Sequence, residues 1–231
     1  MSPFGYDWTM DHPHDIRAVV FDFDGTLAET NIDFGEMRRR IYDLVRQWGL
    51  WEEGMGENRY VLEVIESAAT KLDDTARRDQ FNAQAAQVLV DVEMETCALA
   101  APYPGVPEAL QRLHDAGLKI GIVTRNCRAC VEQLLSRHPL PHDVRLTRDD
   151  VDIVKPHPAH LLAALAQLGV APEQAVMVGD HRSDIECALA AGSRGVGVYT
   201  TGATAEHFAD LGAEASYADV PAFVEDLLAS G

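Results

Sequence analysis

Lysine is scarce in this chain of 231 residues: Lys71, Lys119 and Lys155 are all it has. Basic residues number 19 against 37 acidic ones, for a formal net charge of −18. So acidic a surface repels phosphate backbones and anionic lipids, which argues against nucleic acid and membrane as partners. No apolar run approaches transmembrane length. Residues 1–15 hold neither a basic region nor an apolar stretch, so no secretory signal is expected there. Four cysteines (Cys97, Cys127, Cys130, Cys187) form no dense pattern and suit a reducing cytoplasm, the expected location. Repeats and low-complexity stretches are absent. What is left, 47% hydrophobic and 24% charged, is ordinary globular composition, long enough for one large domain or a core with a smaller companion.

Against that background the run Val19-Val20-Phe21-Asp22-Phe23-Asp24-Gly25-Thr26 stands out. An apolar, β-branched stretch ends abruptly in two carboxylates around one aromatic, then a glycine turn. Buried strands read as short apolar runs, and their carboxyl ends are where α/β proteins assemble sites. Two aspartates at one strand end repel, which calls for a nearby cation or a shared proton. Taken alone, the run also reads as a strand followed by an ordinary Asp-Gly turn. Three further clusters follow predicted strands in order. Leu118–Val123 runs into Thr124-Arg125-Asn126; Lys155-Pro156 comes next; Ala175–Val178 runs into Gly179-Asp180-His181-Arg182-Ser183-Asp184. Asp184 lies four residues after Asp180, one helical turn on and on the same side.

The order of elements is that of a split α/β core. After a first strand at about 17–23, residues 33–97 show helical periodicity and almost no strand signal. Phe34, Met37, Ile41, Leu44, Val45 and Trp48 recur at three- and four-residue spacing. Tyr60, Val61, Val64, Ile65 and Ala68 repeat the pattern, as do Phe81, Ala85, Val88, Leu89 and Val92. A glycine-punctuated loop, residues 49–56, separates the first two. From Pro104-Gly105 onward helices and strands alternate, which predicts a parallel, doubly wound sheet. Helices are expected at 106–116, 131–137, 159–168 and 183–191, with last strands at 195–199 and near Ser216-Tyr217.

The four clusters resemble the motifs of the haloacid dehalogenase superfamily, most of whose members are magnesium-dependent phosphatases. A helical insert just after the first strand is similar to the cap domain of its phosphoglycolate phosphatase-like and β-phosphoglucomutase-like branch. The resemblance implies an α/β fold, a doubly wound parallel (Rossmann-like) sheet core from residues 1–29 and 99–231 with an inserted all-helical cap over 30–98. It places Asp22 as the nucleophile that forms an aspartyl-phosphate and Asp24 as acid and base. It implies Mg2+ held by Asp22, the backbone carbonyl of Asp24, Asp180 and, through a bound water, Asp184. Thr124 and Lys155 would act on the transferring phosphoryl group. Phe23, Gly25, Thr26 and the backbone amides of Arg125 and Asn126 would surround it, with the Thr26 hydroxyl able to tether Asp24. The substrate class is then a small phosphorylated metabolite, met by a monomer or homodimer.

Other residues carry two readings. Cys127-x-x-Cys130 admits a redox or zinc site, or two small residues in the first turn of a helix; the missing second pair favours the latter. His181 and Arg182 touch a leaving group or face water, and water is favoured. His157 reads as turn punctuation. Among Arg38-Arg39-Arg40 an arginine could clamp a second anionic group, though a solvated helix face is the favoured reading. Arg38 and Arg59 with loop 51–56 are the candidates for contacts to the substrate's far end. A haloacid dehalogenase would lack the second acidic residue, yet Asp24 is present. A phosphomutase would need a cap that retains a bisphosphate, and no cap motif shows this. A catalytically silent phospholigand-binding or scaffold protein is the reading from another class.

Overall fold

The computed structural model describes residues 15–57 and 59–229. The expectation that residues 1–15 hold no secretory signal falls almost wholly outside them. The chain divides into two compact units, one of residues 1–29 and 101–231 and the other of residues 30–100.

In the first unit β1 (Ala18–Phe21), β4 (Lys119–Val123), β5 (Val144–Leu146), β6 (Ala175–Gly179), β7 (Arg194–Val198) and β8 (Ala215–Tyr217) form one sheet. Its order is β5-β4-β1-β6-β7-β8, and every pairing is parallel. The crossovers run through α4 (Val106–Asp115), α5 (Arg128–Arg137), α6 (Ala159–Leu168), α7 (Arg182–Ala191) and α8 (Ala205–Asp210), and α9 (Val220–Ala229) closes the chain. One face of the sheet, with Ala18, Val20 and Met177, packs on Leu161, Ala164 and Leu165 of α6 and Cys187 and Ala188 of α7. On the other face Phe21 meets Phe223 of α9 edge-on at 6.5 Å. Strands covered on both faces read as continuous apolar runs, which is why β1, β4 and β6 were legible as such. A two-residue ladder joins β2 (Ala28–Glu29) to β3 (Ala101–Pro102), antiparallel.

Register decides what meets at the carboxyl edge. Phe21 pairs with Ile122 on one side and Val178 on the other. Asp22 is therefore level with Val123 and Gly179, and Thr124 and Asp180 follow one residue beyond. β1 is also where strand order reverses, first toward β4 and β5 and then toward β6, the position at which open α/β sheets hold ligands.

The second unit is three helices, α1 (Phe34–Gln47), α2 (Val61–Ala69) and α3 (Thr75–Cys97), around a core that includes Met37, Ile41, Val45, Val64, Ala68, Phe81, Ala85 and Leu89. These are the apolar positions of the sequence periodicity. Asp33 and Asp74 cap α1 and α3 by accepting from the amides of Glu36 and Arg77, each at 2.8 Å. Tyr42 fastens the loop after α1, its hydroxyl donating to the Gly56 carbonyl at 3.2 Å and its ring lying 4.8 Å from Trp51.

Candidate active site

Asp22 leaves the end of β1 with Oδ1 accepting from the Phe23 amide at 2.6 Å and from Lys155 Nζ at 2.8 Å. No donor among the described residues reaches its Oδ2. Phe23 itself is wholly buried in the core, so what it gives the site is that one amide. Gly25, at φ +77°, then turns the chain back; its amide donates to the Ala28 carbonyl at 2.9 Å. Only glycine adopts this φ at little cost, and a Cβ here would also strike the Asp180 carboxylate.

This turn sends its two polar side chains to opposite neighbours of β1. Asp24 reaches the β4 side, where Thr124 Oγ1 donates to its Oδ2 at 2.9 Å and Asn126 Nδ2 to its Oδ1 at 2.8 Å. Thr26 reaches the β6 side and donates to Asp180 Oδ1 at 3.2 Å. The expectation that Thr26 tethers Asp24 is thus corrected: the positive-φ turn at Gly25 separates the two. Thr124, expected to donate to a phosphoryl oxygen, spends its proton on Asp24 in this state. The Asn126 amide, expected at the phosphoryl group, donates to Thr124 Oγ1 at 3.0 Å.

After β6, Asp180 Oδ2 accepts from Thr201 Oγ1 at 2.6 Å. Thr200 and Thr201 follow the end of β7, and Thr200 donates to the Gly25 carbonyl. Neither residue was singled out from the sequence, although a polar pair at a strand's carboxyl end is the same signal that flagged Thr124. Asp184, in the first turn of α7, is fully buried; Lys155 Nζ donates to its Oδ1 at 2.7 Å and the His181 amide to its Oδ2 at 3.1 Å. His181 caps α7, its Nδ1 accepting from the Ser183 amide at 3.2 Å. Gly179 makes room for the Asp184 carboxylate, which a Cβ at that position would overlap.

Lys155 thus bridges Asp22 and Asp184 with its side chain 1% exposed. Burial alone would lower its pKa, but the Asp184 and Asp22 charges outweigh that and hold it above the ordinary value. The backbone amide of Lys155 rests on Nδ1 of buried His160 at 3.3 Å. Burial raises Asp22 and pushes Asp180 up to about 7, and the charges of neighbouring aspartates add to both.

One oxygen from each of Asp22, Asp180 and Asp184 lies within 4.8 Å of the others, the only such cluster of metal-ligating side chains among the described residues. Three carboxylates share one ammonium, which bridges only Asp22 and Asp184, so their negative charge is incompletely offset. An oxygen-only donor set of that kind fits a hard divalent cation such as magnesium. Cys127 and Cys130 are not part of any such cluster. The Cys127 sulfur caps α5 by accepting from the Cys130 amide at 3.5 Å.

Of the remaining candidates, Arg125 follows Thr124 at the end of β4, whereas Arg38 and Arg59 lie far from the four strand ends in sequence. The Arg125 carbonyl accepts from Arg148 Nη1 at 2.6 Å. Arg38 and Arg59 belong to the helical unit. Arg39 and Arg40 are committed to Glu36, Asp43 and Glu95, whereas exposed Arg38 makes no ion pair among the described residues. Arg59 donates to Ser67 Oγ at 3.3 Å and lines a small polar cleft with Glu52, Glu53, Gly54, Met55 and Ser67.

A parallel sheet whose switch point gathers an acid pair, a hydroxyl, a buried lysine and two further aspartates is an α/β fold with a carboxylate-centred site. Residues 19–198 match the haloacid dehalogenase-like hydrolases, and the chain belongs to that family. It is 31% identical over 194 residues to a phosphoglycolate phosphatase of Pseudomonas putida, covering 79% of this chain and 69% of that protein. To pyrophosphatase PpaX of Bacillus cereus it is 37% identical over 194 residues, 80% of this chain and 84% of the other. The crystal structure of a HAD phosphatase from Thermococcus onnurineus superposes with a TM-score of 0.60 at 25% identity, covering 92% of this chain and 98% of that one.

Proposed function

We propose that the protein is a magnesium-dependent phosphomonoesterase that hydrolyses a small phosphorylated metabolite through an aspartyl-phosphate. The observation that carries this reading is the convergence of oxygens from Asp22, Asp180 and Asp184 to within 4.8 Å of one another, with buried Lys155 bridging Asp22 and Asp184 and Asp22 Oδ2 left without a donor among the described residues. Asp22, Asp180 and Asp184, with the Asp24 carbonyl, would hold magnesium, whose charge would neutralise the phosphoryl oxygens and ease approach of an anionic nucleophile.

The chain's own residues supply the rest. Asp22 Oδ2 forms a bond to phosphorus as the bond to the ester oxygen breaks, and Asp24 passes its proton to that oxygen. Asp24, now ionised, takes a proton from water as the water attacks phosphorus and releases phosphate. Asp22 is regenerated. Splitting the displacement into two steps gives each a nearby, correctly charged partner. Lys155 holds Asp22 in place and adds positive charge beside the phosphoryl group.

The named relatives act on phosphoglycolate and on pyrophosphate, two phosphates that bear a second anionic group. We take the substrate to share that feature, with Arg38 and Arg59 of the helical unit as its candidate partners. The unit of residues 30–100 would serve as a cap that selects the leaving group and excludes water. Among the described residues no helix is long and apolar enough to cross a membrane, and we place the enzyme in the cytoplasm. Phosphate release from an aryl phosphate, with magnesium and after chelation, tests the reading. Turnover that needs the metal and vanishes in Asp22→Asn supports it; no turnover under any condition, or undiminished turnover in that variant, overturns it.

A further inference from the structure

The side chain of Asn126 has no part in the chemistry above, yet it is 2% exposed and every polar atom it carries is engaged. Nδ2 donates to Asp24 Oδ1 at 2.8 Å and approaches the Cys130 sulfur at 3.5 Å, while Oδ1 accepts from the Cys127 amide at 2.8 Å. These partners fix which way the amide faces. Turned over, it would set N–H against the Cys127 N–H and oxygen against the Asp24 carboxylate. Asn126 is thus a rigid donor, held just before α5 by the Cys127 amide and the Cys130 sulfur and aimed at Asp24.

Its importance follows from counting protons on Thr124. A hydroxyl carries one proton and donates one hydrogen bond at a time. Thr124 Oγ1 accepts from the Asn126 backbone N–H and gives its proton to Asp24 Oδ2. If that proton turns to a phosphoryl oxygen, Asp24 loses one of these two holds. The Asn126 donor keeps the other, because it has no competing role at the phosphoryl group.

We propose that the Asn126 side chain is a positioning residue that keeps Asp24 aligned with the leaving-group oxygen while Thr124 engages the phosphoryl group. This rests on the phosphatase reading and adds to it a residue that acts only through Asp24. A misaligned acid costs most when the leaving group needs protonation and least when it departs as a stable anion.

The test measures kcat/KM for a series of aryl phosphates from para-nitrophenyl to phenyl, in the unmodified protein, Asn126→Ala, Asp24→Asn and the double variant. Asn126→Ala should lose about 10–100-fold on phenyl phosphate and only about threefold on para-nitrophenyl phosphate, part of the usual span of general-acid catalysis. In the Asp24→Asn background the same change should have no further leaving-group-dependent effect. Should Asn126→Ala fail to fold, Asn126→Asp still offers an acceptor to the Cys127 amide and, ionised, no donor to Asp24; it should steepen the leaving-group dependence likewise. Equal losses across the series in a folded variant, or an undiminished selective loss in the Asp24→Asn background, would overturn the inference while leaving the phosphatase reading intact. Failure of the unmodified protein to hydrolyse any of the series would overturn both.

Discussion

Lys155 and Asp184 form an ion pair of 2.7 Å in which neither side chain is more than 1% exposed. Desolvating two charges is costly, and such a pair holds only while both partners remain. Removing the ammonium leaves Asp184 and Asp22 buried beside each other without their shared cation. Lys155→Met should therefore destabilise the metal-free protein by about 3–5 kcal/mol, the usual cost of breaking a buried pair from one side. Added magnesium should restore part of that loss, since a bound cation offsets the same carboxylates. Urea denaturation with chelator and with magnesium reads both effects. Equal stability of variant and parent under chelation would contradict this account of the site.

Asp22 and Asp24 differ in what surrounds them, and their variants should differ too. Asp22→Asn removes the proposed nucleophile and should abolish turnover. Asp24→Asn should slow it by about 10²–10⁴-fold, the range of general acid–base catalysis, with smaller losses for good leaving groups. Steady-state rates on aryl and alkyl phosphates check this. An equal loss on both would remove Asp24 from the acid role.

Much of this was readable in advance because apolar runs and helical spacing are local properties. β1, β4 and β6 are strands covered on both faces, and each announced itself as an apolar run ending in a polar residue. Val144–Leu146 did not, since three residues with Arg145 in the middle show no run at all. The helix at Val220–Ala229 was not among the expected elements, although a start signal is present: Asp219 accepts from the Ala222 amide at 2.9 Å and Pro221 stands in the first turn. Hydrogen-bond partners were the least legible feature. Whether Thr26 reaches Asp24 or Asp180 depends on the direction of one turn at Gly25, and Thr201 meets Asp180 only through the pairing of β6 with β7. Sequence spacing encodes neither.

Gly179 illustrates a constraint that only the fold exposes. Its missing side chain is the space that the Asp184 carboxylate fills. Gly179→Ala should displace that carboxylate, with an overpacking cost of about 1–3 kcal/mol. Magnesium affinity should fall with it. Calorimetric titration of magnesium into parent and variant, alongside urea denaturation, tests both; unchanged affinity would mean that Asp184 does not help to hold the ion.

Acid should weaken the fold through His160. Burial, then the Lys155 charge, holds its pKa down at about 3 against an ordinary 6.5, with Arg125 acting in the same direction and Asp150 opposing. Between those values the unfolded chain binds a proton that the folded protein refuses. Stability is then fully present above pH 6.5 and declines by about 1.4 kcal/mol for each unit below it. Parent and His160→Gln share their carboxylates, including Asp180, whose raised pKa acts in the opposite direction. The difference between them isolates the histidine. From pH 7.5 to 5 the parent should lose about 2 kcal/mol more than the variant. Parallel losses would show that His160 titrates normally.

The last expectation concerns the helical unit and substrate choice. Arg38 is the member of the Arg38-Arg39-Arg40 run without an ion pair among the described residues, while its two neighbours are tied to acidic side chains. An exposed arginine without such a pair can offer its planar fork to a carboxylate or phosphate. Arg59 stands beside the loop of Glu52, Glu53 and Gly54, where an anion would also meet acidic neighbours. Arg38 is therefore expected to matter more than Arg59. Replacing Arg38 by Ala should lower kcat/KM for phosphoglycolate or pyrophosphate by about tenfold or more, because a remote contact is used only by substrates that reach it. Hydrolysis of para-nitrophenyl phosphate, which has no second anionic group to place, should change by no more than about threefold. A screen of phosphorylated metabolites with both arginine variants measures this directly. If the profile of Arg38→Ala matches that of the parent, recognition of the second anion lies in other residues, and the selectivity assigned to this helix face is wrong.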